Sequence, residues 1–176
     1  MPSSAPIRII GIDPGSQVTG WGIVEGVGQR VTEVAHGTIR MQSGSDLPER
    51  LRTIFNALVT IIETHRPHEM AVEEVFVSHN VQSALKLGHA RGAAIVAGAQ
   101  CGLPVAEYTA LQVKKAVVGY GRAEKKQVQE MIKMLLSLPK APAQDAADAL
   151  AIAMCHINQR QWSQTANTAM LMGGRR

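Results

Sequence analysis

The first forty residues carry short apolar runs with the lengths and periods of β-strands. The runs over 7–13, 18–25 and 31–41 predict three strands, and Gly26 and Gly28 between the second and the third are typical of a hairpin connection. Because no helical pattern separates these strands, we expect them to form a meander. This edge of the sheet is therefore predicted to be antiparallel.

After the third strand, the period of the apolar positions becomes helical. Leu51, Ile54 and Leu58 fall on one face of a predicted helix, with Asp46 as a suitable N-cap and Pro67 beyond its end. The pattern therefore predicts a long amphipathic helix after the meander.

The next apolar run, over 70–77, is apolar on both faces, which is typical of a central strand. A strand reached through a helical crossover usually lies parallel to the earlier strand, so we expect this one beside the first. Further along, 80–100 predicts a long helix, 103–108 a short strand, and 111–140 two helices separated by a glycine-rich break. A last helix is expected to begin near Pro142.

An acid ends the first predicted strand. Strand alternation places Asp13 on the same face as Ile7, Ile9 and Gly11, where an unpaired carboxylate would be costly. The simpler interpretation is that Asp13 only begins a turn, because Asp-Pro-Gly is a common turn triplet.

Two further acidic pairs have the same ambiguity. Glu73 and Glu74 are adjacent, so on a strand they point to opposite faces and at most one shares the side of Asp13. Asp145 and Asp148 are three residues apart and project from one face of the last helix. The alternatives are solvated acids on an edge strand for the first pair and dipole-stabilising acids at a helix N-terminus for the second.

Taken together, the acids predict a cation site. If they met, Asp13, Glu73, Asp145 and Asp148 would form a cluster of negative charge that needs cations to stay ionised. Hard oxygen ligands without His or Cys select Mg²⁺ or Mn²⁺ over zinc.

Basic residues concentrate where the two helices at 111–140 are predicted. A solvated helix face is the usual meaning of such a run, but two basic helices meeting at a glycine loop would also suit a phosphate backbone. The bases are Lys114, Lys115, Arg122, Lys125, Lys126, Lys133 and Lys140.

Length and composition indicate one domain. The 176 residues carry a formal net charge of +4, and we expect a flexible N-terminus (1–6), a single domain (7–158) and a disordered polar and basic tail (159–176). Cys101 and Cys155 form no metal or redox motif, which suggests small core residues in a reducing compartment. The sequence shows no signal peptide and no apolar run long enough for a membrane span, so a soluble, cytoplasmic protein is expected.

Several motifs resemble those of the bacterial Holliday-junction resolvases of the RuvC family, in the family's order and spacing from about residue 7 to 157. They are Gly-Ile-Asp-Pro-Gly-Ser (11–16), Val-Glu-Glu-Val-Phe (72–76), Ser-Ala-Leu-Lys-Leu-Gly-His-Ala-Arg-Gly (83–92), Gln-Val-Lys-Lys-Ala-Val-Val-Gly (112–119) and Asp-Ala-Ala-Asp-Ala-Leu-Ala (145–151). The resemblance implies an α/β, ribonuclease-H-like fold: a mixed five-stranded sheet flanked by helices on both sides. It also implies a homodimer joined through the helix over 80–100, whose small residues by themselves indicate either deep burial or a contact with a second subunit.

The resemblance further implies a DNA endonuclease whose catalytic metal ligands are the four acids named above. By analogy with two-metal nucleases it would hold two Mg²⁺ per subunit, with Mn²⁺ able to substitute, and would release 5′-phosphate and 3′-hydroxyl products. Phe76 matches an aromatic residue that stacks on a junction base. Lys114 and Lys125 match the family's DNA-binding lysines, with Lys115 and Lys126 as helpers. The implied partners are a four-way DNA junction and the branch-migration complex RuvA–RuvB.

Three other functions compete with this one. Actin-like ATPases also place an Asp-x-Gly turn after a first strand, but they need a second such domain and this chain has no repeated motif. A related resolvase-like family acts on structured RNA, but its members are usually shorter and lack the two basic helices. A non-catalytic junction-binding protein would keep the fold without needing all four acids.

Overall fold

The computed structural model describes residues 5–74 and 80–173, with side chains described up to residue 163. Its strands are β1 (Ile7–Asp13), β2 (Val18–Val27), β3 (Arg30–Arg40), β4 (Glu69–Glu73) and β5 (Val105–Tyr108). They form one five-stranded sheet in the order β3-β2-β1-β4-β5. The β1, β2 and β3 strands are antiparallel, whereas β4 runs parallel to both β1 and β5. The predicted meander and the parallel placement of β4 beside β1 are both confirmed.

Helices cover both faces of this sheet. They are α1 (Leu47–His65), α2 (Val81–Gln100), α3 (Ala110–Val118), α4 (Lys125–Leu135) and α5 (Gln144–Gly173). One core lies between the sheet and α1 with α2, and the other lies between the sheet and α3, α4 and α5. Among the residues that the structure describes, no helix combines the length and the apolar character that a membrane crossing requires.

The two faces of β1 follow the predicted alternation. Ile10 and Ile12 are buried under α1 and α2, whereas Ile9 is buried under α5. Asp13 lies in phase with Ile9, so its carboxylate is directed to the α5 side of the sheet. Cys155 is buried in that same core, and Cys101 is half-buried beside α1 and α2.

Two predicted boundaries differ from the structure. The strand predicted over 70–77 ends at Glu73 in the described part of the chain, and residues 75–79 lie outside the described residues. A disordered tail was expected from residue 159, but α5 continues as a helix through Gly173. The helical turn that follows residue 159 contacts the rest of the domain: Arg160 pairs with Glu69, and the Gln161 side chain donates to the Gly28 carbonyl at 2.8 Å.

Glycines on β1 and β2 let α5 lie directly on the strand backbones. A methyl group added at Gly20 would lie 1.9 Å from the Asp145 carbonyl oxygen, and one at Gly11 would lie 2.0 Å from the Ala149 carbonyl oxygen. On the helix side, the residues at this contact are the small, buried Ala146, Ala149 and Ala153. Contact at this distance leaves no room for a side chain at Gly11 or Gly20.

We expect Gly20→Ala to lower the free energy of unfolding by about 1–3 kcal/mol, because the new methyl group forces α5 away from the sheet. Urea unfolding of purified protein measures this change. Ser163→Thr is a matched control, since it adds one methyl group to an exposed position of the same helix and should change stability by less than about 0.5 kcal/mol. A Gly20→Ala protein as stable as wild type would show that the contact can relax.

Candidate active site

Two strand ends bring the first two predicted acids together. Asp13 is the last residue of β1 and Glu73 is the last residue of β4. Because the strands are parallel neighbours with Ile12 opposite Val72, the acids that follow these residues stand side by side at one edge of the sheet. Of the adjacent pair, Glu73 shares a cavity with Asp13 and Glu74 does not line it, as strand alternation required.

The glycine contact adds the acids of α5 to the same edge. Asp13 pairs across the antiparallel ladder with Gly20, and Gly20 lies against the backbone of Asp145. Asp148 lies one helical turn further along α5, on the same face as Asp145. All four acids are half-buried.

A cavity of about 160 Å³ lies between these acids and the two basic helices. Three of the four acids line it, together with two lysines and an apolar wall from α3, α4 and α5. Its charged lining residues are Asp13, Glu73, Asp148, Lys114 and Lys125. Asp145 does not line the cavity, although its charge acts on both Asp13 and Asp148.

The Asp13 carboxyl has the most perturbed environment of these acids. Its pKa is raised from an ordinary 3.8 to about 8, first by burial and then by the negative charges of Glu73, Asp148 and Asp145. Lys125 opposes this shift without cancelling it. At neutral pH the carboxyl of Asp13 therefore keeps its proton unless a further positive charge enters the cavity.

The pKa values of Glu73 and Asp148 are also raised. Burial raises the pKa of Glu73, and the charge of Asp148 raises it further. Burial also raises the pKa of Asp148, while Lys125 lowers it through a contact of 3.8 Å between Nζ and Oδ2. The Lys125 side chain is 69% exposed, so this ion pair is screened and compensates little of the repulsion among the acids.

The predicted DNA-binding residues divide into three groups. Lys114 on α3 and Lys125 at the start of α4 line the cavity beside the acids. Lys115 and Lys126, on the same two helices, are exposed to solvent and do not line it. Phe76, predicted to stack on a junction base, lies outside the described residues.

The donor chemistry of the cavity suits a hard divalent cation, because its acidic ligands are carboxylates and it contains no His or Cys. Within residues 5–74 and 80–173, no three His, Cys, Asp or Glu side chains are already arranged to hold a metal ion. The acids therefore fit Mg²⁺ by their chemistry and by their unbalanced charge.

One residue near the site was given no role by the sequence analysis. The Nε of Arg91 on α2 donates to the backbone carbonyl of Glu73 at 3.1 Å, and its guanidinium also pairs with Glu107 on β5. The available sequence signal was a lone cation in a helix half that is otherwise small and apolar.

The raised pKa of Asp13 predicts an unusual dependence of stability on pH. Between the unfolded-state pKa near 3.8 and the native value of about 8, the native protein binds the Asp13 proton more tightly than the unfolded chain does. Stability from this group is therefore complete below about pH 4 and is lost as the pH rises towards 8, by at most about 1.4 kcal/mol per pH unit.

In metal-free protein, Asp13→Asn should consequently raise the free energy of unfolding, and by more at pH 8 than at pH 5. Urea unfolding in the presence of a chelator measures both values. Asp46→Asn makes the same chemical change at the N-cap of α1 and should stay within about 0.5 kcal/mol at both pH values, because Asn caps helices as well as Asp does. An Asp13→Asn gain that did not grow with pH would contradict the electrostatic assignment.

Comparison with known proteins places the chain in a family. The sequence model of the family described as "Crossover junction endodeoxyribonuclease RuvC" matches residues 9–156. A curated protein of that name from Magnetococcus marinus is 69% identical over 173 residues, which cover 98% of this chain and 96% of the relative. Another from Geobacter sulfurreducens is 58% identical over 152 residues, covering 86% of this chain and 93% of the relative.

A solved structure described as "T. thermophilus RuvC in complex with Holliday junction substrate" has a TM-score of 0.84 and 33% sequence identity, covering 89% of this chain and 96% of that one. The predicted ribonuclease-H-like fold is thus confirmed. By its family match, its close relatives and its fold, this chain belongs to the RuvC family of crossover junction endodeoxyribonucleases.

Proposed function

We propose that this chain is a structure-selective endonuclease that resolves four-way (Holliday) DNA junctions by cation-dependent phosphodiester hydrolysis during recombination and repair. The observation that carries the proposal is the single cavity in which Asp13, Glu73 and Asp148 face Lys114 and Lys125. It joins a cation-binding set of acids to residues that can hold a phosphate backbone. The likeness to a RuvC that is bound to a Holliday junction supports the same substrate.

The cation is the first finer part of the proposal. Nucleases of this family are metal-dependent, and we assign Asp13, Glu73, Asp145 and Asp148 as the catalytic ligands of two Mg²⁺ per subunit, with Mn²⁺ able to replace them. Held there, the ions would supply Lewis-acid chemistry, namely a lower pKa for the attacking water and compensation of the charge on the leaving 3′ oxygen. The products of this hydrolysis would be a 5′-phosphate and a 3′-hydroxyl.

Each acid has a position that suits its role. Asp13 lies between β4 on one side and the start of α5 on the other, so it is the acid best placed to serve both ions. Glu73 approaches from β4, whereas Asp145 and Asp148 approach from α5. The raised pKa of Asp13 means that cation binding displaces a proton, so metal affinity should rise with pH up to about 8.

The basic residues would hold the substrate. Lys114 and Lys125 reach the cavity itself, which suits contacts to the phosphates next to the scissile bond. Lys115 and Lys126 are exposed on the same helices and extend the basic surface outward. Phe76 would stack on an unpaired base at the crossover, by family resemblance.

The assembly would be a homodimer built on α2. Large apolar side chains on this helix are exposed: Val81 is 63%, Leu85 58% and Val96 57% accessible. Gly88 and Gly92 leave open space on the same helix, which allows a second helix to approach closely. A two-fold axis would present two sites to opposed strands of the junction.

The protein would work in the cytoplasm with the RuvA–RuvB branch-migration complex, again by resemblance.

Exchanging the two adjacent glutamates tests the assignment of the acids. Glu73→Gln should lower the cleavage rate of a synthetic four-way junction in Mg²⁺ by more than about 100-fold. The loss of a direct metal ligand should reduce activity at least as much as the loss of an outer-shell partner does. Glu74→Gln, the matched control, makes the same change one residue away on a side chain that does not line the cavity, and should cleave like wild type.

Linear duplex and structured RNA should be poor substrates for the wild-type protein in the same assay. Preferential cleavage of structured RNA would favour the RNA-processing alternative. Junction binding without cleavage by the wild-type protein would favour a non-catalytic junction-binding protein.

The salt dependence of junction binding tests the basic surface. Lys114→Ala and Lys125→Ala should each weaken binding and reduce the slope of log affinity against log salt by about 1, the expected loss for one phosphate contact. Arg30→Ala removes the same charge at the hairpin between β2 and β3, at the opposite end of the sheet, and should leave the slope unchanged. Equal slopes in all three variants would show that the DNA-binding surface does not include Lys114 and Lys125.

A further inference from the structure

The backbone at Glu73 is held by contacts that the proposed chemistry does not use. Glu73 is the last residue of β4, so its carbonyl stands where the sheet ladder ends. The Nε of Arg91 donates to that carbonyl oxygen at 3.1 Å. Next to it, the Glu74 amide donates to the Tyr108 carbonyl of β5 at 2.8 Å. Glu73 is therefore fixed by α2 on one side and by β5 on the other.

The guanidinium of Arg91 is itself fixed by Glu107. This salt bridge joins α2 to β5, and the Arg91 side chain is only 22% exposed whereas Glu107 is 43% exposed. A guanidinium is planar and presents its donors at fixed angles, so pairing one edge with Glu107 sets the direction of the Nε donor. Arg91 does not line the cavity of the acids, so it acts on the site through the backbone of Glu73.

We propose that Arg91 is a positioning residue: its hydrogen bond to the Glu73 carbonyl, set by Glu107, holds the Glu73 carboxylate where the divalent cation binds. The inference rests on the proposed function, in which Glu73 is a metal ligand. The carbonyl and the side chain of Glu73 share one α-carbon, so displacement of the carbonyl displaces the carboxylate. Small displacements of a ligand or reacting group have large effects on catalysis.

The position of Arg91 on α2 gives this contact a second consequence. The same helix carries the exposed apolar residues proposed to join the subunits, so the Arg91 contact links the subunit interface to a catalytic acid.

The test compares Arg91→Lys, Glu107→Gln and Arg52→Lys. Lysine keeps the positive charge of Arg91 but carries all its donors on one nitrogen, so it does not span the Glu73 carbonyl and Glu107 as the planar guanidinium does. Glu107→Gln keeps Arg91 and removes the charge that orients it. Arg52→Lys is the matched control, because Arg52 pairs with Glu49 at 3.8 Å on the exposed face of α1.

Three quantities should be measured on each protein: Mn²⁺ affinity without DNA by isothermal titration calorimetry, junction cleavage across a Mg²⁺ series, and junction binding without divalent cation. Arg91→Lys should weaken Mn²⁺ affinity or cleavage by about 10- to 100-fold, as loss of an outer-shell partner typically does. Glu107→Gln should change the same quantities in the same direction, and junction binding should stay at the wild-type level. Arg52→Lys should match wild type throughout.

Wild-type Mn²⁺ affinity and cleavage in both Arg91→Lys and Glu107→Gln would overturn the inference. If Arg91→Lys does not fold, Glu107→Gln decides alone, since its altered side chain is partly exposed. Glu73→Gln separates the two proposals: normal Mn²⁺ binding and cleavage by that variant would refute the metal-ligand role of Glu73 itself. Loss in Glu73→Gln with none in the Arg91 and Glu107 variants would refute only the positioning role.

Discussion

The site depends on one steric constraint, the direct contact of α5 with the backbones of β1 and β2. Gly20 has room for a hydrogen atom and nothing larger beside the Asp145 carbonyl, and Gly11 has the same relation to Ala149. Because helix and strands meet at this distance, the acids at the start of α5 reach the acid at the end of β1. A larger side chain at Gly11 or Gly20 would leave the fold class unchanged but would move the carboxylates apart.

The same closeness creates an electrostatic cost. Asp13 is half-buried beside three other acids, and burial together with their negative charges raises its pKa to about 8, so its ionised form is disfavoured without a cation. Groups with strongly perturbed pKa values cluster at functional sites because the chemistry needs them there. Stability is thus reduced locally for a site that is complete only when positive charge enters it, a common compromise between stability and activity.

Local patterns predicted most of the elements because each element has its own period and its own cap. Asp46 caps α1 and Asn80 caps α2, and the glycine break separates α3 from α4 as expected. Strand alternation alone showed that only one of Glu73 and Glu74 could face Asp13. That these acids meet those of α5 was a hypothesis from the residues which the family resemblance then supported, because residues 13 and 145 are brought together only by tertiary packing.

Long-range contacts were beyond local reasoning. The bond from Arg91 to the Glu73 carbonyl spans 18 positions and depends on where α2 crosses the sheet. Arg160, within the expected tail, pairs with Glu69, which lies 91 positions away along the chain. A polar, basic sequence predicts a loose tail when its long-range partners are unknown. The pairing of Arg160 with Glu69 on β4 becomes visible only in the folded chain.

Anomalous diffraction from crystals of the protein grown with Mn²⁺ and a four-way junction tests the central claim most directly. If the carboxylates from β1, β4 and α5 form one cation site, an anomalous peak should lie within coordination distance of Asp13, with carboxylate ligands from Glu73 and from Asp145 or Asp148. A protein bound to its junction with no peak at Asp13, or with Mn²⁺ held by other residues, would contradict the account.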